Sequence, residues 1–507
     1  MEQSRYLKYK LAIGVLLFAV LLCIGKIVID NGGSLTEPEQ NTAKQEETAE
    51  LSVSADYTVM NQEATINVCT MAENGLKALY YQKGKVESLS ESDWESAVDI
   101  TENQQFKVHE KGDYSILAED EAGNRKVTNV SVVMEMRAVW IYYLEYQEKA
   151  KSLTGFQQYI TETFDRCKEA GMNTVVFQVR PCADAMYLSS YFPWSVYAAG
   201  KAGKNPGFDP LQIAVREAHK RNLSIHAWVN PYRITLNTTK LSYLPKDSIA
   251  RKWASKKSTK RNVLSMNGAL YFNPASAKVQ ELVANGVKEI VQNYQVDGIH
   301  MDDYFYPNLG TKTKQFDYKE YKKYRAACRK NKISPKSLVS WRRNNVNAMV
   351  KKVYAAVKKI NPDCLFGISP AGNLSNLYSS NAYFSPVKLW MNSSSYIDYI
   401  CPQIYWSFKQ KTAPYKKVLK QWTDIKRSDN VSLYIGLAGY RAGISKKEAK
   451  LITDTEWAES NTVLKRQLQY ARKTKKVDGM FLFASGSLKD SRAKKEIKNL
   501  KSVINLR

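Results

Sequence analysis

Val296-Asp297-Gly298-Ile299-His300-Met301-Asp302-Asp303-Tyr304-Phe305-Tyr306-Pro307 is a short apolar run that ends in two carboxylates and three aromatic rings. Side chains on a strand alternate between faces, so His300 and Asp302 share one face while Ile299 and Met301 share the other. A strand with an apolar back and a polar front suits a parallel barrel. There the back packs on helices and the front points to the barrel mouth, where active sites of such folds lie.

The same pattern recurs on both sides of this run. Gln178 and Arg180 alternate with Val179; His226, Trp228 and Asn230 alternate with Ala227 and Val229; Gln403 and Tyr405 flank Ile404. Counted along the chain, strand-like runs fall at 137–143, 173–181, 223–230, 296–302, 365–370, 397–405, 431–440 and 477–484. Amphipathic segments at 156–170, 210–221, 277–294 and 344–360 lie between them. Eight strands alternating with helices over about 370 residues predict an α/β fold, a (β/α)8 TIM barrel spanning 135–507. A doubly wound sheet would also alternate, but no glycine-rich phosphate loop follows the first strand, which speaks against a nucleotide fold.

Ahead of the barrel the composition changes three times. Arg5, Lys8 and Lys10 precede an apolar stretch at 11–25 that resumes at 27–29, long enough to span a bilayer. A basic flank keeps the N-terminus inside, and no A-x-A cleavage pattern follows. Residues 1–29 are therefore expected to be a cytoplasmic N-terminus and a transmembrane signal anchor. A cleaved signal peptide is the alternative, and a lipoprotein at Cys23 is disfavoured by Leu21 and Leu22. Residues 30–50 are polar and acidic, the composition of a disordered linker. From 51 to 134 short alternating runs separated by turns predict a small all-β sandwich. Its stretch 112–124, with Gly123-Asn124 as a tight turn, resembles the closing hairpin of bacterial immunoglobulin-like domains, which implies a spacer.

The chain of 507 residues carries a net charge of +26, so a polyanion is an expected neighbour. Two stretches, 240–261 and 312–343, hold much of that charge. For an exported protein the polyanion is an anionic cell-wall polymer or a lipid headgroup rather than nucleic acid. The seven cysteines show no CxxC or metal-type spacing and read as small buried hydrophobes. The 32 Tyr and 10 Trp suit stacking on sugars as well as ordinary burial.

Asp302 is the leading catalytic candidate, a strand-end carboxylate flanked by aromatics that can attack or stabilise an anomeric carbon. Glycoside hydrolysis generally needs a second, protonated carboxyl. Asp303 is adjacent but joins only if the strand bulges or ends there; Glu145, Asp184 and Glu456 on neighbouring loops are alternatives. His226 and His300 with Asp302 could form a two-histidine, one-carboxylate metal site, whereas hydrogen bonding to sugar hydroxyls or to the carboxylate is the favoured role. No metal or cofactor is expected. Sugar-binding candidates are Trp140, Gln178, Arg180, His226, Trp228, Asn230, Tyr232, Arg233, His300, Tyr304, Gln403, Tyr405 and Trp406.

At these positions the chain resembles glycosyl hydrolase-like family 10. The matching stretches are Arg137-Ala138-Val139-Trp140, residues 173–181, His226-Ala227-Trp228-Val229-Asn230-Pro231-Tyr232-Arg233, residues 297–307 and Pro402-Gln403-Ile404-Tyr405-Trp406. The resemblance implies a barrel glycosidase, and a Gram-negative relative is understood to cleave peptidoglycan glycan strands stripped of their stem peptides. More distantly, residues 297–302 look like the fourth-strand pattern of the α-amylase clan, in which the final Asp is the nucleophile. The strand-five acid of that clan is absent, since that strand here ends Gly367-Ile368-Ser369-Pro370. The expected function is a cell-surface glycoside hydrolase acting on wall glycan; a non-catalytic carbohydrate-binding protein and a metal-dependent carbohydrate esterase are the alternatives.

Overall fold

The computed structural model describes residues 50–60 and 63–504, so the expected membrane anchor at 1–29 and nearly all of the 30–50 linker lie outside the described residues. From Leu51 onward the chain forms one compact unit. Among the described residues no helix is long and apolar enough to cross a membrane.

Among the described residues seven strands come first: β1 (Leu51–Met60), β2 (Glu63–Ala72), β3 (Leu76–Lys83), β4 (Val98–Asp99), β5 (Gln105–Val108), β6 (Gly112–Asp120) and β7 (Arg125–Val132). They make two antiparallel sheets, β1-β2-β5 and β4-β3-β6-β7. Alternation drives the pairing: Ala64, Ile66 and Val68 of β2 point inward, as do Phe106 and Val108 of β5, and they meet Leu79, Tyr114 and Ile116 in a shared core. Gly123, at φ +83°, turns the chain between β6 and β7, where the Asp120 carboxylate accepts from the Asn124 backbone N–H at 2.7 Å.

All eight predicted barrel strands form, and they close in parallel. They are β8 (Met136–Ile141), β9 (Thr174–Arg180), β10 (Ser224–Val229), β13 (Gly298–Asp302), β14 (Leu365–Ser369), β15 (Tyr399–Ile400), β16 (Ser432–Leu437) and β17 (Gly479–Phe483), with β17 pairing back to β8. An antiparallel hairpin, β11 (Val263–Met266) and β12 (Ala269–Phe272), is inserted after β10. The principal helices are α1 (Leu153–Glu169), α2 (Pro210–His219), α3 (Ala277–Asn293), α4 (Tyr318–Lys330), α5 (Leu338–Ile360), α6 (Tyr415–Thr423), α7 (Val463–Lys473) and α8 (Lys494–Ile504). Side-chain caps start several of them, with Ser152, Asp209, Ser276 and Ser337 each accepting a first-turn backbone N–H. Val175, Phe177, Ile225, Ala227, Ile299 and Met301 face outward into the helix layer. Ala138, Trp140, Val176, Trp228, Tyr399, Tyr434 and Phe481 fill the barrel interior.

The N-terminal rim is tied by a repeated device. Asn173, Asp297, Asp398 and Asp478 each directly precede a barrel strand and accept the backbone N–H of the second residue of the barrel strand before it: Arg137 (2.8 Å), Ile225 (2.7 Å), Phe366 (2.6 Å) and Leu433 (2.9 Å). Asp297 therefore belongs to the structural rim, at the opposite end of β13 from Asp302. Of the described cysteines, Cys167, Cys182, Cys328, Cys364 and Cys401 are buried as expected, whereas Cys69 is exposed because it falls on the outward phase of β2.

Candidate active site

A cleft of about 360 Å³ opens at the C-terminal end of the barrel, and every barrel strand contributes to its wall. Trp140, Tyr142 and Tyr143 come from β8 and its exit, Gln178 from β9, Trp228 and Arg233 from β10 and beyond. Asp302 and Tyr304 come from β13, Ser369 from β14, and Gln403 and Tyr405 follow β15. Tyr440 and Phe483 complete the ring. A larger groove of about 710 Å³ lies elsewhere, between α6 and the short helix Val387–Met391; its carboxylate, Asp424, is paired with Lys420. Chemistry, not size, selects the smaller cleft.

Asp302 sits on its floor, 3% exposed. Its Oδ2 accepts from the Trp228 indole N–H at 3.0 Å and its Oδ1 from the Tyr304 backbone N–H at 3.2 Å, while the Asn230 amide donates to both oxygens at 2.7 and 2.6 Å. The amide orientation is fixed by a relay. The Tyr143 backbone N–H donates to Gln178 Oε1 (3.2 Å), Gln178 Nε2 donates to Asn230 Oδ1 (2.8 Å), and Asn230 Nδ2 then points at the carboxylate. All these neighbours of Asp302 are donors, so a proton on it would have nowhere to go. Burial pushes its pKa up, and the Arg233 guanidinium and the donor set pull back toward the ionised form. Arg233 itself is steered by Pro181 O (2.9 Å) and lies over the Tyr304 ring at 5.0 Å.

Asp303 is not among the residues that line the cleft; β13 ends at Asp302, which frees the next residue from strand alternation, and Asp303 is 9% exposed with the Gln403 side chain of the cleft wall as a hydrogen-bond neighbour. Its surroundings are different. Burial and the adjacent Asp302 charge raise its pKa to about 7, with the Gln403 amide as a weaker opposing influence. Burial raises both carboxyls, but the Trp228, Asn230 and Tyr304 donors gather on Asp302 alone, an asymmetry of the kind that separate acid and base roles require.

The structure also relocates several predicted residues. Arg180 does not reach the cleft: β9 carries a bulge that pairs Val229 with Arg180 and skips Val179, which flips Arg180 to the helix side. Its guanidinium lies 4.4 Å from the Phe192 ring centroid and against Gly286 of α3. Tyr232 is fully buried in the outer apolar layer. Trp406 packs on Gly372 outside the cleft wall. Asn230 is buried beneath the cleft and serves Asp302 rather than facing a sugar.

His226 and His300 are fully buried below Asp302, and neither meets a sugar or the carboxylate. Both Nδ1 atoms contact the Tyr399 hydroxyl at 2.9 Å, and His300 Nε2 accepts from the Trp140 indole at 3.1 Å. Burial holds both rings neutral, His226 at about 4 and His300 well below its usual range. The protons then follow one order: Trp140 donates to His300, His300 Nδ1–H donates to Tyr399, and Tyr399 O–H donates to His226. Both nitrogens of His300 and Nδ1 of His226 are engaged below Asp302, and among the described residues no two-histidine, one-carboxylate cluster is assembled. Trp140, Gln178, Trp228, Arg233, Tyr304, Gln403 and Tyr405, named above as sugar-binding candidates, line the cleft.

The rival acids are committed elsewhere. Glu145 accepts from Gly486 N (2.6 Å) and Ser485 Oγ (2.8 Å), Asp184 from Ser195 Oγ (2.6 Å), and Glu456 pairs with Arg466 (2.6 Å). Sequence reasoning missed Tyr142, Tyr143, Ser369, Tyr440 and Phe483. Phase two from Trp140 and Phe481 would have found Tyr142 and Phe483; Tyr440 lies on a loop with no periodic signal.

Residues 135–458 match the model of the family described as glycosyl hydrolase-like 10. The chain belongs to this family. It is a glycoside hydrolase, and a polysaccharide is its substrate class. The chain is 34% identical over 384 residues to glycosyl hydrolase YngK of Bacillus subtilis, covering 72% of this chain and 70% of that one. It is 33% identical over 362 residues to glycosyl hydrolase DigH of Escherichia coli K12, covering 68% and 79%. Among solved structures, the glycoside hydrolase domain of PgaB (BpsB) from Bordetella bronchiseptica aligns with a TM-score of 0.48 at 10% identity, over 74% of this chain and 100% of that one.

Proposed function

We propose that this glycosidase cleaves peptidoglycan glycan strands at the cell surface, held to the membrane by residues 1–29 and spaced from it by an immunoglobulin-like sandwich. One observation supports the chemistry above all others. A donor-cradled carboxylate, Asp302, lies in an aromatic-walled barrel mouth, and the next residue, Asp303, is a proton-holding carboxyl beside Gln403 of the same wall. Asp302 meets the developing positive charge at the anomeric carbon, and Asp303 protonates the departing glycosidic oxygen. Tyr304 and Tyr440, 56% and 49% exposed, offer faces on which pyranose rings stack. The spacer reading draws on Tyr114, whose hydroxyl donates to Glu110 O at 2.9 Å, the corner contact found in immunoglobulin-like sandwiches.

The test uses the compact unit from Leu51, incubated with purified peptidoglycan before and after an amidase has removed the stem peptides, with products read by mass spectrometry. New reducing-end fragments from the stripped strands, absent with Asp302→Asn, are the expected result. Retained glycan binding without cleavage of either preparation would refute the substrate assignment.

A further inference from the structure

Two basic stretches stand apart in the sequence, and the fold brings them together. Between Lys312 and Arg343 the chain has twelve Lys and Arg against two carboxylates, Asp317 and Glu320. Both carboxylates are already engaged. Asp317 is buried against Arg342 (Nε–Oδ1 2.9 Å), and Glu320 takes Arg261 in a two-pronged pair at 2.9 and 2.6 Å. Arg261 also donates to Phe316 O at 3.2 Å, which clips the 256–261 segment to the start of α4. Lys260 is the neighbour of Arg261 in the chain, and its backbone N–H donates to Lys256 O at 2.8 Å, so the clip tethers the segment that carries Lys256, Lys257 and Lys260 near the start of that helix.

On α4 itself Lys319, Lys322, Lys323, Arg329 and Lys330 are exposed. Among the described residues none of these five, nor the three lysines of the clipped segment, has a carboxylate partner. Neighbouring like charges on a helix repel, so an unneutralised row of this kind costs stability. It is tolerated where an external anion answers it. The row follows a helix of 13 residues, about 20 Å long.

We propose that α4 and the 256–260 segment form one docking surface for a linear, phosphate-bearing polymer. Its length exceeds what a single phosphate group needs. The rings on this helix are already engaged, with Tyr324 stacked on Trp341 at 6.0 Å, Tyr321 buried and the half-buried Tyr318 ring under the Lys322 ammonium at 5.5 Å, which disfavours stacking on nucleic-acid bases. Ile333, 60% exposed, is the large apolar side chain exposed next to the row, too little to seat it in a bilayer. The row begins in the crossover that leaves β13 after Asp302 and Asp303. A polymer held there lies on the same chain excursion as the catalytic carboxyls.

The experiment uses the full chain in an uncharged detergent and labelled inorganic polyphosphate as the probe, with binding followed by anisotropy over a salt series. The combined variant Lys319→Glu, Lys322→Glu, Lys323→Glu and Lys330→Glu is expected to bind about tenfold or more weakly. Its log–log salt dependence should be shallower by about 2 to 3. Lys256→Gln with Lys257→Gln and Lys260→Gln, a milder change, should act in the same direction by about threefold. The control Lys494→Glu, Lys495→Glu and Lys498→Glu alters exposed lysines on α8 and should leave binding within about twofold, because screening confines surface charges to roughly 10 Å. Equal weakening by the control would overturn the proposal, as would tighter binding to anionic vesicles or to single-stranded DNA than to polyphosphate. Unfolding midpoints for each variant verify that the weakened proteins are folded.

Discussion

Replacing Asp303 with Asn should make the protein more stable and nearly inactive, and the stability gain should depend on pH in one direction. The Asp303 carboxyl is 9% exposed and its pKa rises from an ordinary 3.8 to about 7 through burial and the adjacent Asp302 charge. Three units at 1.36 kcal/mol each set a ceiling of about 4 kcal/mol. The sign follows from proton uptake. Below about pH 4 the carboxyl is neutral in both folded and unfolded chains and contributes nothing. Between about 4 and 7 the unfolded chain ionises while the folded one keeps its proton, so folding loses stability as pH rises. Above about 7 the loss is complete and constant. An amide has the shape of the neutral acid and no proton to lose. Asp303→Asn should therefore match the parent near pH 4 and exceed it by up to about 4 kcal/mol at pH 8. The buried histidines slope the opposite way, because the unfolded chain protonates them first as pH falls below 6.5. They are common to both proteins and cancel in the difference. Urea titrations of the two proteins at pH 4, 6 and 8 supply that difference, and hydrolysis assays should show a loss of about 10²- to 10⁴-fold. A stability difference that stays flat across this range would refute a proton-holding Asp303, whatever the activity did.

Three other substitutions test the surroundings. Asn230→Ala removes the donor that serves both Asp302 oxygens and leaves Gln178 Nε2 without its acceptor; turnover should fall about 10²- to 10³-fold, with a folded circular-dichroism spectrum retained. Tyr399→Phe strands the Nδ1 groups of His226 and His300 in the barrel interior and should cost about 1–3 kcal/mol per group in urea unfolding. Arg342→Met leaves the Asp317 carboxylate buried without its guanidinium, and a loss of about 3–5 kcal/mol by the same measurement is expected.

The barrel was legible because its strands obey two rules at once. Outward residues such as Ile299 and Met301 must be apolar to pack on helices, and the alternate set is released from that demand. Strand limits came within a few residues except at the sixth, where the apolar run 397–405 yields a ladder of Tyr399 and Ile400 only. The chain turns after Cys401 so that Gln403 meets Ala371 and Gly436 as isolated bridges. The site was less legible because alternation says which face a residue occupies, not how deep it lies. His226, Asn230 and His300 share the inward phase with Trp228 and Asp302, yet the histidines sit a layer below the cleft floor. Arg180 failed for another reason: one extra residue in β9 reverses the phase, and nothing in Gln178-Val179-Arg180 marks the bulge.

The adjacency of Asp302 and Asp303, awkward on a regular strand, is what lets one short segment supply two unlike carboxyls. While the strand lasts, Asp302 is held in the interior phase, where Trp228 of β10 and Asn230, one residue past its end, stand at hydrogen-bond distance. Those donors come from a neighbouring strand in fixed register, with Trp228 opposite His300, so their aim at Asp302 is set by the barrel itself. One residue later the ladder stops. Asp303 inherits the burial but not the donors, and it faces the charge of its neighbour at the shortest separation a chain allows. Two equivalent carboxyls in one pocket would compete for a proton; here the end of β13 decides the competition. Extending the strand by one residue would turn Asp303 toward the helices and abolish the pair, so the proposed chemistry rests on the strand terminus rather than on either carboxylate alone.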